Sequence, residues 1–184
     1  GLDMGLKYLV ADSEGNTIQA PKFFRKTEAK LAKQQKILSK RKKGSYGRRK
    51  ARELIAKTHL KIERQRKDSL HKISRKYADY DLIAVEKLNI KGMLKNHHLA
   101  KSITDASWNT LLQMIRYKAE NAGSYFVEVN PHYTSQKCSG CGAIVQKSLS
   151  IRTHICPECG LVMDRDKNAS INILRAGIAL GGEM

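Results

Sequence analysis

Asp81-Leu82-Ile83-Ala84-Val85-Glu86 is the stretch on which the fold turns. Its apolar residues run without alternation and end in an acid, the pattern of a buried strand with a carboxylate at its tip. Downstream, Trp108, Leu111, Leu112, Ile115 and Ala119 recur at helical spacing, Tyr125 to Val129 is extended and apolar, and Ile171 to Ala179 reads as a last helix. Upstream, Lys7 to Ala11 is β-prone, Asp12-Ser13-Glu14-Gly15-Asn16 has turn chemistry, and Thr17 to Ala20 resumes extended character. Two or three strands, then helix, strand, helix, strand and helix, predict an α/β or α+β layered domain. At 184 residues, one compact core with an appended module is expected.

Between the first strands and Asp81 lies a segment of different character. Lys22 to Lys76 holds 22 Lys and Arg against 4 Asp and Glu, a net of +18, while the rest of the chain holds 13 of each sign. The segment is rich in helix formers and interrupted at Gly44-Ser45-Tyr46-Gly47. In its second half Ile55, Ile62, Leu70, Ile73 and Tyr77 form a narrow apolar stripe on a cationic rod. A solvated helix face usually mixes both signs, so so one-sided a block points to a polyanion such as DNA or RNA; a solubilising basic surface is the plainer alternative. The segment has few of the bulky apolar residues that an interfacial membrane helix buries, which makes an anionic membrane the weaker rival. No run is long and apolar enough to span a membrane and no leader pattern is found, so no membrane partner and a cytoplasmic, nucleoid-associated location are expected.

Cys138-x2-Cys141 and Cys156-x2-Cys159, separated by 14 residues, make the two-knuckle zinc pattern. Two thiolates from each tight turn complete an S4 site around Zn2+ with no open position, so the ion is expected to be structural. Two disulfides are the alternative, disfavoured in a basic chain with no secretory leader. His132 and His154 lie near enough to be alternative ligands, and with four thiolates present they are expected at the surface.

Three carboxylates complete the candidate list: Asp3 at the start of the first strand, Glu86 at the end of the central one, and Asp166 ahead of the last helix. Singly they read as a turn residue, a strand-end charge and a helix N-cap. Together, at strand ends beside a helix start, they would repel one another unless cations neutralised them. Hard oxygen ligands suit Mg2+ or Mn2+, which serve phosphodiester hydrolysis.

Gly1-Leu2-Asp3-Met4-Gly5-Leu6, Val85-Glu86-Lys87-Leu88-Asn89-Ile90, the two knuckles, and Asp164-Arg165-Asp166-Lys167-Asn168-Ala169-Ser170-Ile171-Asn172-Ile173-Leu174 resemble, in order, the RuvC-type motifs of the TnpB (OrfB) transposon proteins, relatives of the type V CRISPR effector nucleases. The resemblance runs from Gly1 to Leu174. It implies an RNase H-like (RuvC-type) nuclease domain over 1–137 and 160–184, with a mixed central sheet flanked by helices and a zinc ribbon inserted at 138–159. It implies Asp3, Glu86 and Asp166 as the catalytic residues and Mg2+ or Mn2+ ligands, with Asp164 the neighbouring rival to Asp166. The activity it implies is RNA-guided cleavage of double-stranded DNA, the guide read by base pairing. Members of the family carry a wedge and a helical recognition region ahead of the first Asp, so the chain is expected to be a fragment or truncation centred on the nuclease. A non-catalytic nucleic-acid-binding zinc-ribbon module, and a strand-transferring transposase, are the alternatives.

Overall fold

The structure, a computed structural model, describes residues 1–148 and 150–181. The chain opens with a meander, β1 (Leu2–Asp3), β2 (Tyr8–Asp12) and β3 (Thr17–Gln19), followed by a helical hairpin, α1 (Phe23–Ser39) and α2 (Tyr46–Tyr77). Strand β4 (Leu82–Glu86) is followed by α3 (Ile90–Met93), α4 (His97–Ala106) and α5 (Trp108–Ala122). Strand β5 (Tyr125–Val129), the small hairpin β6 (Thr153–Ile155) and β7 (Val162–Asp164), and α6 (Arg165–Gly181) complete the order.

Five strands form one sheet in the order β3-β2-β1-β4-β5, with β1, β4 and β5 parallel to one another and β2 antiparallel to both β1 and β3. The sheet is mixed, as expected, because β1 pairs antiparallel with β2 on one side and parallel with β4 on the other. β4 sits inside it, which explains the unbroken apolar run: Ile83 and Val85 face one layer while Ala84 faces the other. The expected single core is thus divided by the sheet. On one face Leu70, Ile73 and Tyr77 of α2 and Trp108, Leu111 and Ile115 of α5 pack against Leu2, Ile83 and Val85. On the other, Ile173 of α6 packs on Ala84 and Val129.

Helix α6 lies close to the sheet because position 177 is glycine: a Cβ there would fall well inside van der Waals contact distance of Ala84 Cβ. The helix begins at Arg165, six residues before the expected Ile171. The polar run Arg165–Asn168 hides that first turn from an apolar-periodicity reading. Asp164 supplies the start signal, its Oδ1 accepting from the backbone N–H groups of Asp166 (2.8 Å) and Lys167 (3.3 Å).

The cationic rod is two helices. Ser45 caps α2 by accepting from Arg48 N, so Tyr46 and Gly47, expected in the interruption, begin the second helix. At the N-terminus of α1, Lys22 has left-handed backbone and gives no side-chain cap. Asp105 of α4 takes that role from a distance, accepting from Phe24 N (3.1 Å) and Arg25 N (3.3 Å) while pairing with Arg66 of α2 (2.9 Å). One buried carboxylate thereby ties both rods to the body. No described helix is long and apolar enough to cross a membrane.

Candidate active site, zinc knuckles and cationic hairpin

Strand register brings two of the three carboxylates side by side. In the parallel pair β1–β4, Leu2 lies opposite Val85, so Asp3 and Glu86 end adjacent strands, about 4.8 Å apart across the ladder. Asp3 closes β1, where a strand start was expected. Leu2 and Val85 point into the larger core, and alternation turns Asp3 and Glu86 to the opposite face, which α6 covers. Asp166 stands in the first turn of that helix. The carboxyl ends of parallel strands, facing a helix start, are where open α/β sheets hold ligands.

Electrostatics agree with this grouping. Asp3 is pushed well above the ordinary carboxylate range by burial and, next, by the negative charges of Glu86 and Asp166; Arg165 and Arg152 pull the other way. Glu86 is also raised by burial, opposed by the Thr134 hydroxyl donating to its Oε1 and by Arg165. Arg152 pairs with Asp166 at 3.3 Å. The N-cap role considered for Asp166 belongs instead to Asp164, so the Asp166 carboxylate is engaged by Arg152 and not by the helix start. Asp3 and Glu86, whose ionised forms burial disfavours, together with the Asp166 carboxylate, are hard oxygen donors that a divalent cation would favour in their ionised forms, so the residues fit Mg2+ or Mn2+.

The four cysteines also converge. Their Sγ atoms all lie within 4.8 Å of one another, with Cys138–Cys159 at 3.7 Å and Cys141–Cys156 at 3.6 Å. Those separations exceed a disulfide bond and match the edge of a Zn–S4 tetrahedron, about 3.8 Å for ligands about 2.3 Å from the ion. The two knuckles repeat one hydrogen-bond pattern. Cys138 N donates to Ala143 O and Gly142 N to Cys138 O; Cys156 N donates to Leu161 O and Gly160 N to Cys156 O. Gly142 and Gly160 both have positive φ (84° and 71°), the conformation each turn needs where the chain reverses. His132 is exposed as expected, but His154 is fully buried. In β6, Thr153 and Ile155 face solvent, so alternation turns His154 inward, where its Nδ1 contacts the Lys147 amine.

The α1–α2 hairpin carries the positive charge. A cleft between the helices is lined by Lys26, Lys30, Lys57 and Lys61, all exposed, and none of the four pairs with a carboxylate among the described residues. At the hairpin's tip Tyr46 is exposed, with Arg49 and Lys50 within 5.0 Å and 4.6 Å of its ring centroid. Arg48 differs from its neighbours, since its guanidinium is bonded to the Leu38 and Arg41 carbonyls and pins the tip.

Several residues that shape these sites escaped the sequence reading. Asn168 and Asn172 project from one face of α6 onto the loop before the first knuckle: Asn168 Nδ2 reaches Lys137 O (2.8 Å), and Asn172 Nδ2 reaches Thr134 O (2.9 Å) and Lys137 O (2.6 Å). Two asparagines at i, i+4, and so on one face of the last helix, were a readable signal. Thr134 carried none.

Residues 1–97 match the profile of the OrfB_IS605 family, described as a probable transposase, and residues 108–173 match a Cas12f1-like TNB domain. The chain is 41% identical over 182 residues to a putative RNA-guided DNA endonuclease of Streptomyces pristinaespiralis, covering 97% of this chain and 45% of that relative. It is 31% identical over 197 residues to the putative RNA-guided DNA endonuclease InsQ of Escherichia coli K12, covering 98% of this chain and 49% of the relative. The chain thus spans about half the length of these relatives. Among solved structures it resembles a Cas12f1–sgRNA–target DNA complex, with TM-score 0.65 at 19% identity over 94% of this chain and 48% of the other. A CRISPR–Cas12f ternary complex gives TM-score 0.66 at 22% identity, over 94% and 37%. At such identities the likeness is one of fold.

Proposed function

From the premise that the chain belongs to the OrfB_IS605 family of TnpB-type transposon proteins, we propose that it is the divalent-metal-dependent nuclease portion of an RNA-guided DNA endonuclease associated with a mobile element. In this reading residues 1–137 and 160–184 form an RNase H-like (RuvC-type) domain and 138–159 an inserted ribbon holding Zn2+. DNA is the substrate, and guide RNA is a partner of the complete protein. The observation that carries the reading is the Leu2–Val85 register, which sets Asp3 beside Glu86 on the face that the first turn of α6, with Asp166, covers.

Asp3, Glu86 and Asp166 would hold Mg2+ or Mn2+. The bound ion would supply charge neutralisation at the phosphate and a water acidic enough to attack it. The protein's own part is orientation. Sheet register fixes Asp3 and Glu86, the Asp164 cap fixes the start of α6, and Arg152 holds Asp166 in place. The lysine cleft and the Tyr46 tip offer phosphates and bases a cationic, partly aromatic surface suited to a nucleic-acid backbone.

The test is cleavage with added Mg2+, using guide-loaded complete protein carrying these residues. Asp3→Ala, Glu86→Gln and Asp166→Ala are each expected to reduce cleavage by at least about a thousandfold while nucleic-acid binding persists. A second reading, a non-catalytic grip on nucleic acid, draws on the Arg152–Asp166 ion pair, which already neutralises one acid without a metal. It prevails if all three variants cut as well as the parent.

A further inference from the structure

We infer that Thr134 is a positioning residue for Glu86: its hydroxyl fixes Oε1 and so leaves Oε2 for the ion that the carboxylates hold. The inference rests on the metal-nuclease reading above. A glutamate at a strand end has three side-chain torsions to fix before it can serve as a directed ligand. Thr134, 8% exposed, donates to Glu86 Oε1. Its single proton has a second acceptor in reach, the Pro131 carbonyl at 3.1 Å, and the carboxylate in its ionised form, the form that binds a metal, is the stronger of the two.

The hydroxyl can act as a reference point because its backbone is held from several sides. Tyr133 has left-handed backbone (φ 60°), a conformation that a non-glycine residue keeps only when its surroundings require it. Here Gln136 N and Lys137 N both donate to the Tyr133 carbonyl, at 2.9 and 2.8 Å. Asn172 of α6 donates to the Thr134 carbonyl. The same helix holds the next residues too, since Asn168 accepts from Ser139 N (2.9 Å) and Arg175 donates to Ser139 O. Thr134 and the first knuckle thereby share one support, the helix that also carries Asp166. A hydrogen-bonded neighbour that orients a metal-binding side chain commonly carries a tenfold or larger share of metal affinity.

The experiment measures Mn2+ binding to the zinc-loaded chain by electron paramagnetic resonance, with zinc content and thermal melting recorded for every variant. Thr134→Val keeps the shape and removes the donor; it should weaken Mn2+ binding by about tenfold with zinc content unchanged. Thr134→Ser restores the hydroxyl and should bind within about twofold of the parent. If valine lowers the melting temperature, Thr134→Ala, which has no branch to place, is read in its stead. Parent-like Mn2+ affinity in the donor-less variant overturns the inference, and so does a serine variant as weak as valine, because packing would then be the cause. Asp3→Asn separates the two levels. If it leaves Mn2+ affinity unchanged, the carboxylate site itself is wrong and Thr134 falls with it; if it abolishes binding while Thr134→Val does not weaken it, only the positioning role is lost.

Discussion

The thiolate cluster and the carboxylate cluster are built in opposite ways. The cysteines come from two short turns within Cys138–Cys159, each closing on its own backbone hydrogen bonds with its own positive-φ glycine. The carboxylates come from positions 3, 86 and 166, and nothing local to any of them brings the others near. Their meeting depends on the pairing of β1 with β4 and on how closely α6 approaches the sheet. A site made of turns can be lost alone, whereas a site made of register is lost by anything that moves a sheet or a helix.

The largest expected effect separates the two sites. Cys156→Ser should drop zinc from about one per chain and disorder the ribbon while the sheet and its two cores stay folded. Zinc analysis, with hydrogen exchange at the amides of β6 and β7 against those of β4, measures the separation. Equal loss of protection in β4 would mean that the ribbon is not an independent unit.

A smaller effect should run the other way. Gly177→Ala sets a methyl against Ala84 and should cost about 1–3 kcal/mol by overpacking, with α6 displaced and cleavage impaired although every acid remains. Zinc content should not change. Ala84→Gly in the same chain makes room for the methyl and should recover part of both stability and activity; a double variant as impaired as the single would show that helix approach is not what aligns Asp166.

These sites also differ in how much the sequence disclosed. The knuckles were legible because spacing is local, and β4 and the α5 stripe because a buried surface imposes a period on its residues. The grouping of the three acids has no period: Asp3 and Glu86 become neighbours through hydrogen bonds between strands 83 residues apart in sequence, so only their places at strand ends and a helix start, and then the family resemblance, suggested it beforehand. Helix α4 and the first turn of α6 went unread because their opening residues, His97-His98 and Arg165-Asp166-Lys167-Asn168, are polar and their start signals, Asn96 and Asp164, are single side chains. His154 was misplaced because its strand was not foreseen, and without a strand there is no alternation to turn it inward.

The Asp164–Asp166 pair makes the distinction within three residues. Asp164→Ala removes a cap and should cost about 1 kcal/mol in thermal or denaturant melts while keeping most of the cleavage. Asp166→Ala should do the reverse, with little change in melting and loss of cleavage. Reversed outcomes would move the metal-binding role to Asp164 and leave the fold intact.

The finest distinction is in pH dependence. Asp3 and Glu86 both have carboxyls raised by burial, Asp3 further by its acidic neighbours. A carboxyl whose folded pKa exceeds its unfolded value binds a proton more readily in the native state. Between the unfolded value, about 4, and the raised folded one, the native chain therefore holds more protons than the unfolded chain, and stability falls as pH rises through that window. Zinc-loaded protein without added Mg2+ or Mn2+ should thus melt at a higher temperature on the acid side of the window than above it. Asp3→Asn, which cannot ionise, should flatten that slope. Saturating Mn2+ should also oppose it in the parent, because the ion favours the ionised acids that burial disfavours. The knuckle variant Cys156→Ser, by contrast, should keep the slope, since Asp3 remains beside Glu86 in the sheet. A slope unchanged in Asp3→Asn and insensitive to Mn2+ would mean that the acids do not share one field, and the contrast between a local and an assembled site would lose its second member.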